Sequence, residues 1–283
     1  MKKVFLFILL CGCFALSGTL NAAEGQLMAG TAKINITPKQ NIPLHDSVYA
    51  RALVMEIGNM RVAQVSVDLV SFHSDRVAQV CKEKYGITQL LVCASHTHED
   101  PNMADARPRE KKPDNTPFFE ECIIKVVGEA IGNMFPARIS AGTRTFPQLG
   151  FNRLIIRKDG KARESWIGDE HYNVENPERI PFGPVDPEVG VIKVEDMQGN
   201  ARAIVMSYAM HADLGCFSYE ISADYPGYAC RKVEEAFANK AICLFVAGGG
   251  CNVEGLMISR RRSGPDAVSY THLRAHETRH DLV

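Results

Sequence analysis

Apolar and polar side chains alternate along residues 61–68, where Val62, Val65 and Val67 are interleaved with Gln64 and Ser66, and residues 52–57 read the same way. Gly58 and Asn59 between them carry the signature of a hairpin turn, so two paired strands are predicted to open the domain after Pro38 and Pro43. Residues 89–94, with Leu90, Leu91, Val92 and Cys93, and residues 242–246 are instead continuously apolar and short, the pattern of strands buried on both faces. Phe119, Cys122, Ile123, Val126, Ala130 and Ile131 recur at helical spacing behind Thr116 as cap and Pro117 in the first turn, and Pro136 stops them. A second helix is predicted over 227–238. Strands over 189–194 and 203–208 join through Gln198, Gly199 and Asn200 as a hairpin. Buried strands require helices above and below. The predicted fold class is therefore α/β: mixed β-sheets flanked by helices, in one domain without internal repeats. Residues 176–187, with four prolines, read as a loop lying over a site.

The two ends break this pattern. Lys2 and Lys3 precede an apolar run from Val4 to Leu16 and small residues at Ser17, Gly18, Ala22 and Ala23, the layout of a secretory signal over 1–23. The run is shorter than the roughly 20 apolar residues of a membrane span. Cys13 offers an alternative, a lipoprotein whose acyl chain would be its sole membrane contact. Both readings export the protein, to the periplasm or beyond. From Ser269 to Thr278 the chain resembles a translated sequencing adaptor, so 263–283 reads as a non-native or disordered tail, and His272, His276 and His280 are set aside. That leaves 24–262 as a single, incomplete catalytic domain.

With 46% hydrophobic and 23% charged residues the chain is of ordinary globular composition, which excludes a disordered or fibrous protein. Its 32 basic residues balance 33 acidic ones, so no field favours nucleic acid or anionic lipid. The cysteines outside the leader follow no disulfide or zinc-ribbon spacing, and Cys93 and Cys243 read as small core residues.

Candidate chemistry lies beyond the strand ends, where open α/β sheets bind ligands. Ser95, His96, Thr97, His98, Glu99, Asp100 and Pro101 follow the strand at 89–94. Side chains two apart on an extended segment project the same way, so His96 and His98 can converge on one cation. The alternative is a hydrogen-bonded loop feature. His211 ends another apolar strand, followed by Asp213, and two histidine-bearing strand ends can gather a metal; alone it reads as a half-buried histidine. Gly248, Gly249, Gly250, Cys251 and Asn252 follow the strand at 242–246. They lack the Lys and Ser or Thr of a nucleotide loop, and read as close packing, with Cys251 as a nucleophile in the alternative.

Several segments, in order, resemble the N-terminal catalytic domain of the neutral/alkaline, non-lysosomal ceramidase family. They are residues 29–38; His45 and Asp46; residues 49–53 and 65–69; the His96, Thr97, His98 motif; Asn152 with Arg153; residues 186–189; His211; residues 222–227; and the glycine loop. The resemblance implies a zinc amidase that cleaves the N-acyl bond of ceramide-like or other small-molecule or lipid amides. It makes His96 and His211 zinc ligands, sets His98 beside the metal and Arg153 at the substrate or developing oxyanion. Zinc lowers the pKa of water toward about 7 and polarises an amide carbonyl, which suits this reaction.

Two departures stand out. The family's glycine loop continues Gly, Asn, aliphatic, Ser, whereas here Asn252 and Val253 lead to Glu254. Glu254 reads as a solvated loop carboxylate, or in the alternative as a general base toward water. The family's remaining ligands, a glutamate and a tyrosine, lie beyond the native part of the chain. Two histidines without a carboxylate do not close a tetrahedral site, so this chain is expected to bind zinc weakly and to be inactive. The competing function is a surface or periplasmic binding protein that retains the fold without the chemistry. A cysteine hydrolase using Cys251 is a third reading, one that predicts inactivation by iodoacetamide.

Overall fold

The structure is a computed structural model that describes residues 25–146, 149–165, 176, 178, 180–215 and 218–256. The leader assigned to 1–23 and the tail assigned to 263–283 lie outside the described residues.

Strands β1 (Met28–Asn35), β2 (Tyr49–Ile57) and β3 (Met60–Val67) form an antiparallel meander. Helix α1 (Asp75–Tyr85) then crosses over to β4 (Gln89–Ala94), which pairs parallel to β3. Helix α2 (Thr116–Gly132) leads into β5 (Phe135–Thr145), followed by three short strands, β6 (Gly150–Asn152), β7 (Leu154–Ile156) and β8 (Ala162–Glu164). Strands β9 (Glu188–Asp196) and β10 (Ala201–Tyr208) are a hairpin turning at Gly199, whose φ of 86° falls where glycine is favoured. Helix α3 (Asp224–Ala236) crosses to β11 (Ile242–Ala247), parallel to β10, and β12 (Val253–Gly255) pairs antiparallel with β6.

Eight strands form one mixed sheet in the order β11-β10-β9-β5-β1-β2-β3-β4. The β1–β5 joint rests on only Met28 with Pro136 and Ala29 with Phe135, and there the sheet folds over so that β11 faces β2, β3 and β4. The period of two then sorts the side chains into layers. In β2, Ala50, Ala52 and Val54 pack under α1 and α2, while Leu53 turns inward against Ala203, Val205 and Leu244. On the far side Ile204, Tyr208, Cys243 and Phe245 pack with Cys230 of α3. Helix α2 lies directly on β1: a Cβ at Gly30 would sit 2.0 Å from the Ala130 carbonyl oxygen.

The expected α/β class and single mixed architecture hold, with several local corrections. The sheet opens with β1, ahead of Pro38. Pro136 lies inside β5. Strand β4 is an edge strand with Leu91 56% exposed, so it is not buried on two faces; β11 is, at Cys243, Leu244 and Phe245. Helix α2 has Asn115 rather than Thr116 at its N-cap, and α3 begins at Asp224, with Pro226 in its first turn. No helix among the described residues is long and apolar enough to cross a membrane.

Candidate metal centre

The carboxyl ends of β4 and β10 are stitched together by backbone. Thr97 bridges to Ala212, His98 N donates to the Ala212 carbonyl at 2.8 Å, and Thr97 Oγ1 donates to the Ser222 carbonyl at 2.9 Å. His211 N donates to the Val253 carbonyl at 2.8 Å, which ties β12 to the same place. His96 has a φ of 65°, a left-handed conformation that a non-glycine residue adopts only when its surroundings impose it; here its N donates to the Leu69 carbonyl at 3.0 Å. His96 and His98 therefore meet through a kink, not by alternation along an extended segment.

The three imidazoles converge. Ring centroids lie 5.0 Å apart for His96 and His98, 4.8 Å for His96 and His211, and 5.0 Å for His98 and His211. Their ligand atoms all fall within 4.8 Å of one another, and bonds of about 2 Å to a shared ion span nitrogens up to about 4 Å apart. His96 Nδ1 is 2.8 Å from the Val70 carbonyl and His211 Nδ1 is 3.4 Å from the Gly250 carbonyl, contacts that place the proton on Nδ1 and leave Nε2 with its lone pair. His98 Nε2 is buried without a hydrogen-bond partner. Burial, then the neighbouring histidines and Arg153, push His211 down to about 4; burial, His96 and Arg153 lower His98 as well. Neutral imidazole is the form that binds metal.

A second group shares His211. Its ligand atom and those of Asp213 and Glu254 lie within 4.8 Å of one another, and all three residues are buried. Glu254 has no exposed surface, which overturns its reading as a solvated loop carboxylate. It sits in β12 opposite Phe151, and its Oε1 accepts a hydrogen bond from Arg153 Nη1. Arg153 Nε lies 3.3 Å from Glu164 Oε1, and Arg153 N donates to the Asn252 carbonyl at 2.8 Å. Asn252 thus enters through its backbone. Asp213 Oδ1 and Glu254 Oε2 are buried without partners. Burial first and then the neighbouring Glu254 push the Asp213 carboxyl well above its usual range; burial also raises Glu254, against the pull of Asp213 and Arg153.

The structure therefore assembles the histidines expected of a metal site, with His98 an equal member of the triangle. It also adds two carboxylates, Asp213 and Glu254, beside His211, which the two-histidine argument treated as carboxylate-free. Asp213 was visible only as the residue two after His211; that spacing was its one local signal. The glycine loop serves close packing: a Cβ at Gly250 would lie 2.5 Å from Met210 N, just ahead of His211. Cys251 is exposed and belongs to neither group. The proline-bearing segment reaches this region through Asn152, whose Nδ2 donates to the Pro184 carbonyl at 2.9 Å.

No protein-family model matches the chain. Among solved structures it is similar to the neutral ceramidase from Pseudomonas aeruginosa, with a TM-score of 0.66 and 18% identity over 89% of this chain and 44% of that one. It is also similar to a ceramidase complexed with C2, with a TM-score of 0.68 and 17% identity over 91% of this chain and 44% of that one. The chain has the fold of the matched part of these proteins and spans less than half their length.

Proposed function

We propose that this chain is the N-terminal part of an exported, zinc-dependent amide hydrolase of the neutral ceramidase type, acting on the N-acyl bond of a ceramide-like or other amide. The observation that carries the reading is the triangle of His96, His98 and His211, in which two rings have their Nδ1 atoms on backbone carbonyls and the third has a buried Nε2 without a partner. Such orientation by carbonyls is what metal-ligating histidines require. When bound there, zinc would polarise the amide carbonyl and acidify water.

The chain's own residues supply the rest. Val70 and Gly250 fix the ring planes. Arg153, positive and close enough to depress both His98 and His211, stands where negative charge on a carbonyl oxygen would be stabilised. Its ion pair with Glu254 holds that carboxylate in place, and Glu254 Oε2 is the atom free to take a proton from water and pass it to the leaving nitrogen. The fold similarity supports the amidase class over a binding protein, and the leader at 1–23 supports export.

Metal analysis of the purified chain tests the reading. Close to one zinc per chain is expected, falling to background in His96→Ala and His211→Ala. Metal-free wild type that retains affinity for an N-acyl amide in the presence of chelator would favour the binding protein instead.

A further inference from the structure

Two contacts fix how α3 lies on β11. Near the start of the helix the Tyr225 and Phe245 rings meet edge to face, with centroids 5.6 Å apart, and near its end Glu234 Oε1 accepts from Cys243 N at 3.1 Å. Between them Gly227, Cys230 and Glu234 are buried along one stripe of the helix. On the strand, Cys243 and Phe245 share the face turned toward α3, while Leu244 points into the other layer. Cys230 and Cys243 therefore face each other across the interface. Both are 0% exposed, and their thiols share a hydrogen bond. That bond, and then burial, hold the Cys243 thiol well above its usual range. Cys81 and Cys93, by contrast, are raised by burial alone. Thiols on facing elements, already in contact, need only a small approach to reach the S–S bond length of about 2 Å.

We infer that Cys230 and Cys243 are a disulfide site, which in an oxidising compartment staples α3 to β11, the crossover that leads into the glycine loop against Met210. The inference goes beyond the proposed reaction and takes from it only export, which brings a chain to where disulfides form. The two thiols together give up two protons and two electrons as the S–S bond forms, and an incoming disulfide such as oxidised glutathione accepts them and leaves as two thiols. Because the pair has no exposed surface once α3 has docked, the exchange belongs to the folding chain.

The test refolds the reduced 283-residue chain with oxidised glutathione, caps the remaining thiols with iodoacetamide in denaturant, and maps linkage by trypsin digestion and tandem mass spectrometry. Trypsin cuts after Arg231 and Lys240, between the two cysteines, so a link joins two peptides. A Cys230–Cys243 link is expected in most molecules, with a thermal midpoint, in metal-free protein, about 5–10 °C above that of the same chain in reductant. Cys243→Ser is expected to melt at one temperature with or without reductant. If both cysteines are capped throughout, if either is joined instead to Cys216 or Cys251, or if the linked chain melts no higher than the reduced one, the inference is overturned. Should Cys243→Ser not fold, the linkage and midpoint of the wild-type chain decide by themselves. Zinc content enters none of these readouts, so the metal reading stands or falls separately.

Discussion

The folded sheet contains the same topological unit twice, and the two copies do different work. In the first, the β2–β3 hairpin is followed by α1 and the parallel edge strand β4; in the second, the β9–β10 hairpin is followed by α3 and the parallel edge strand β11. Both units end in an alanine, Ala94 and Ala247, before a loop that reaches the site. The first loop carries His96 and His98 after the last strand, whereas the second unit places His211 after its middle strand and leaves glycines after the last.

Charge separates them further. In the first unit Asp68 follows β3 and is fully buried, yet Arg51 Nη1 donates to both its oxygens at 2.8 and 2.9 Å, and Tyr49 N donates at 2.9 Å. In the second, Asp213 is buried beyond β10 beside Glu254, and a single guanidinium, Arg153, donates to Glu254 and acts by its charge on both carboxylates. One topology thus presents one carboxylate matched by one guanidinium on one side and two carboxylates grouped around one guanidinium on the other, and the pair lies beside His211.

Removing the internal cation gives the largest effect. Arg51→Ala strands Asp68 in the seam between the two half-sheets and is expected to cost about 3–5 kcal/mol, read as a lower denaturation midpoint in urea. An unchanged midpoint would mean that the first unit does not depend on its pair. The second unit is probed by Gly250→Ala, whose Cβ meets the backbone of Met210. It should cost about 1–3 kcal/mol and weaken zinc binding, since the displaced segment carries His211. Loss of stability with unaltered zinc affinity would separate the loop from the site.

The smallest effect concerns the place where the units touch. Glu99 from the first loop and Asp224 at the start of α3 share a pocket with Asp46 and Arg231. Burial, followed for Glu99 by the Asp224 charge, pushes them up to about 8 and about 7. The folded state then keeps protons that the unfolded chain releases near pH 4, so these groups favour folding at the acid end of the window, and their contribution is lost as pH rises toward 8. Asp224→Asn should flatten the decline between pH 5 and 7 by up to about 1.4 kcal/mol per pH unit, measured by unfolding at several pH values in metal-free protein. A slope identical to wild type would refute the raised carboxyl.

Much of this organisation was legible in the residues. The β2–β3 and β9–β10 hairpins, β4, β11 and α2 announce themselves through alternation, apolar runs and turn residues, and the histidines through their position after strands. Strand β5 does not, because most of its side chains are exposed and its place is fixed by backbone pairing with β1 and β9. Helix α1 carried readable ends, Ser74 accepting from Val77 N and Gly86 in the left-handed region, but it buries only Val77 and Cys81, too few to set up a helical stripe. The burial of Glu254 was hidden for another reason. It depends on β12 pairing with β6 and on an arginine 101 residues away, neither of which leaves a local trace.

Those separations bear on how the molecule comes together. Thr97 Oγ1 reaches a carbonyl 125 residues along the chain, and Arg153 reaches Glu254 across 101. Contacts of such range pay their loop-closure entropy late, after local hairpins and crossovers have formed. The cluster of imidazoles is accordingly a product of completed folding rather than its nucleus.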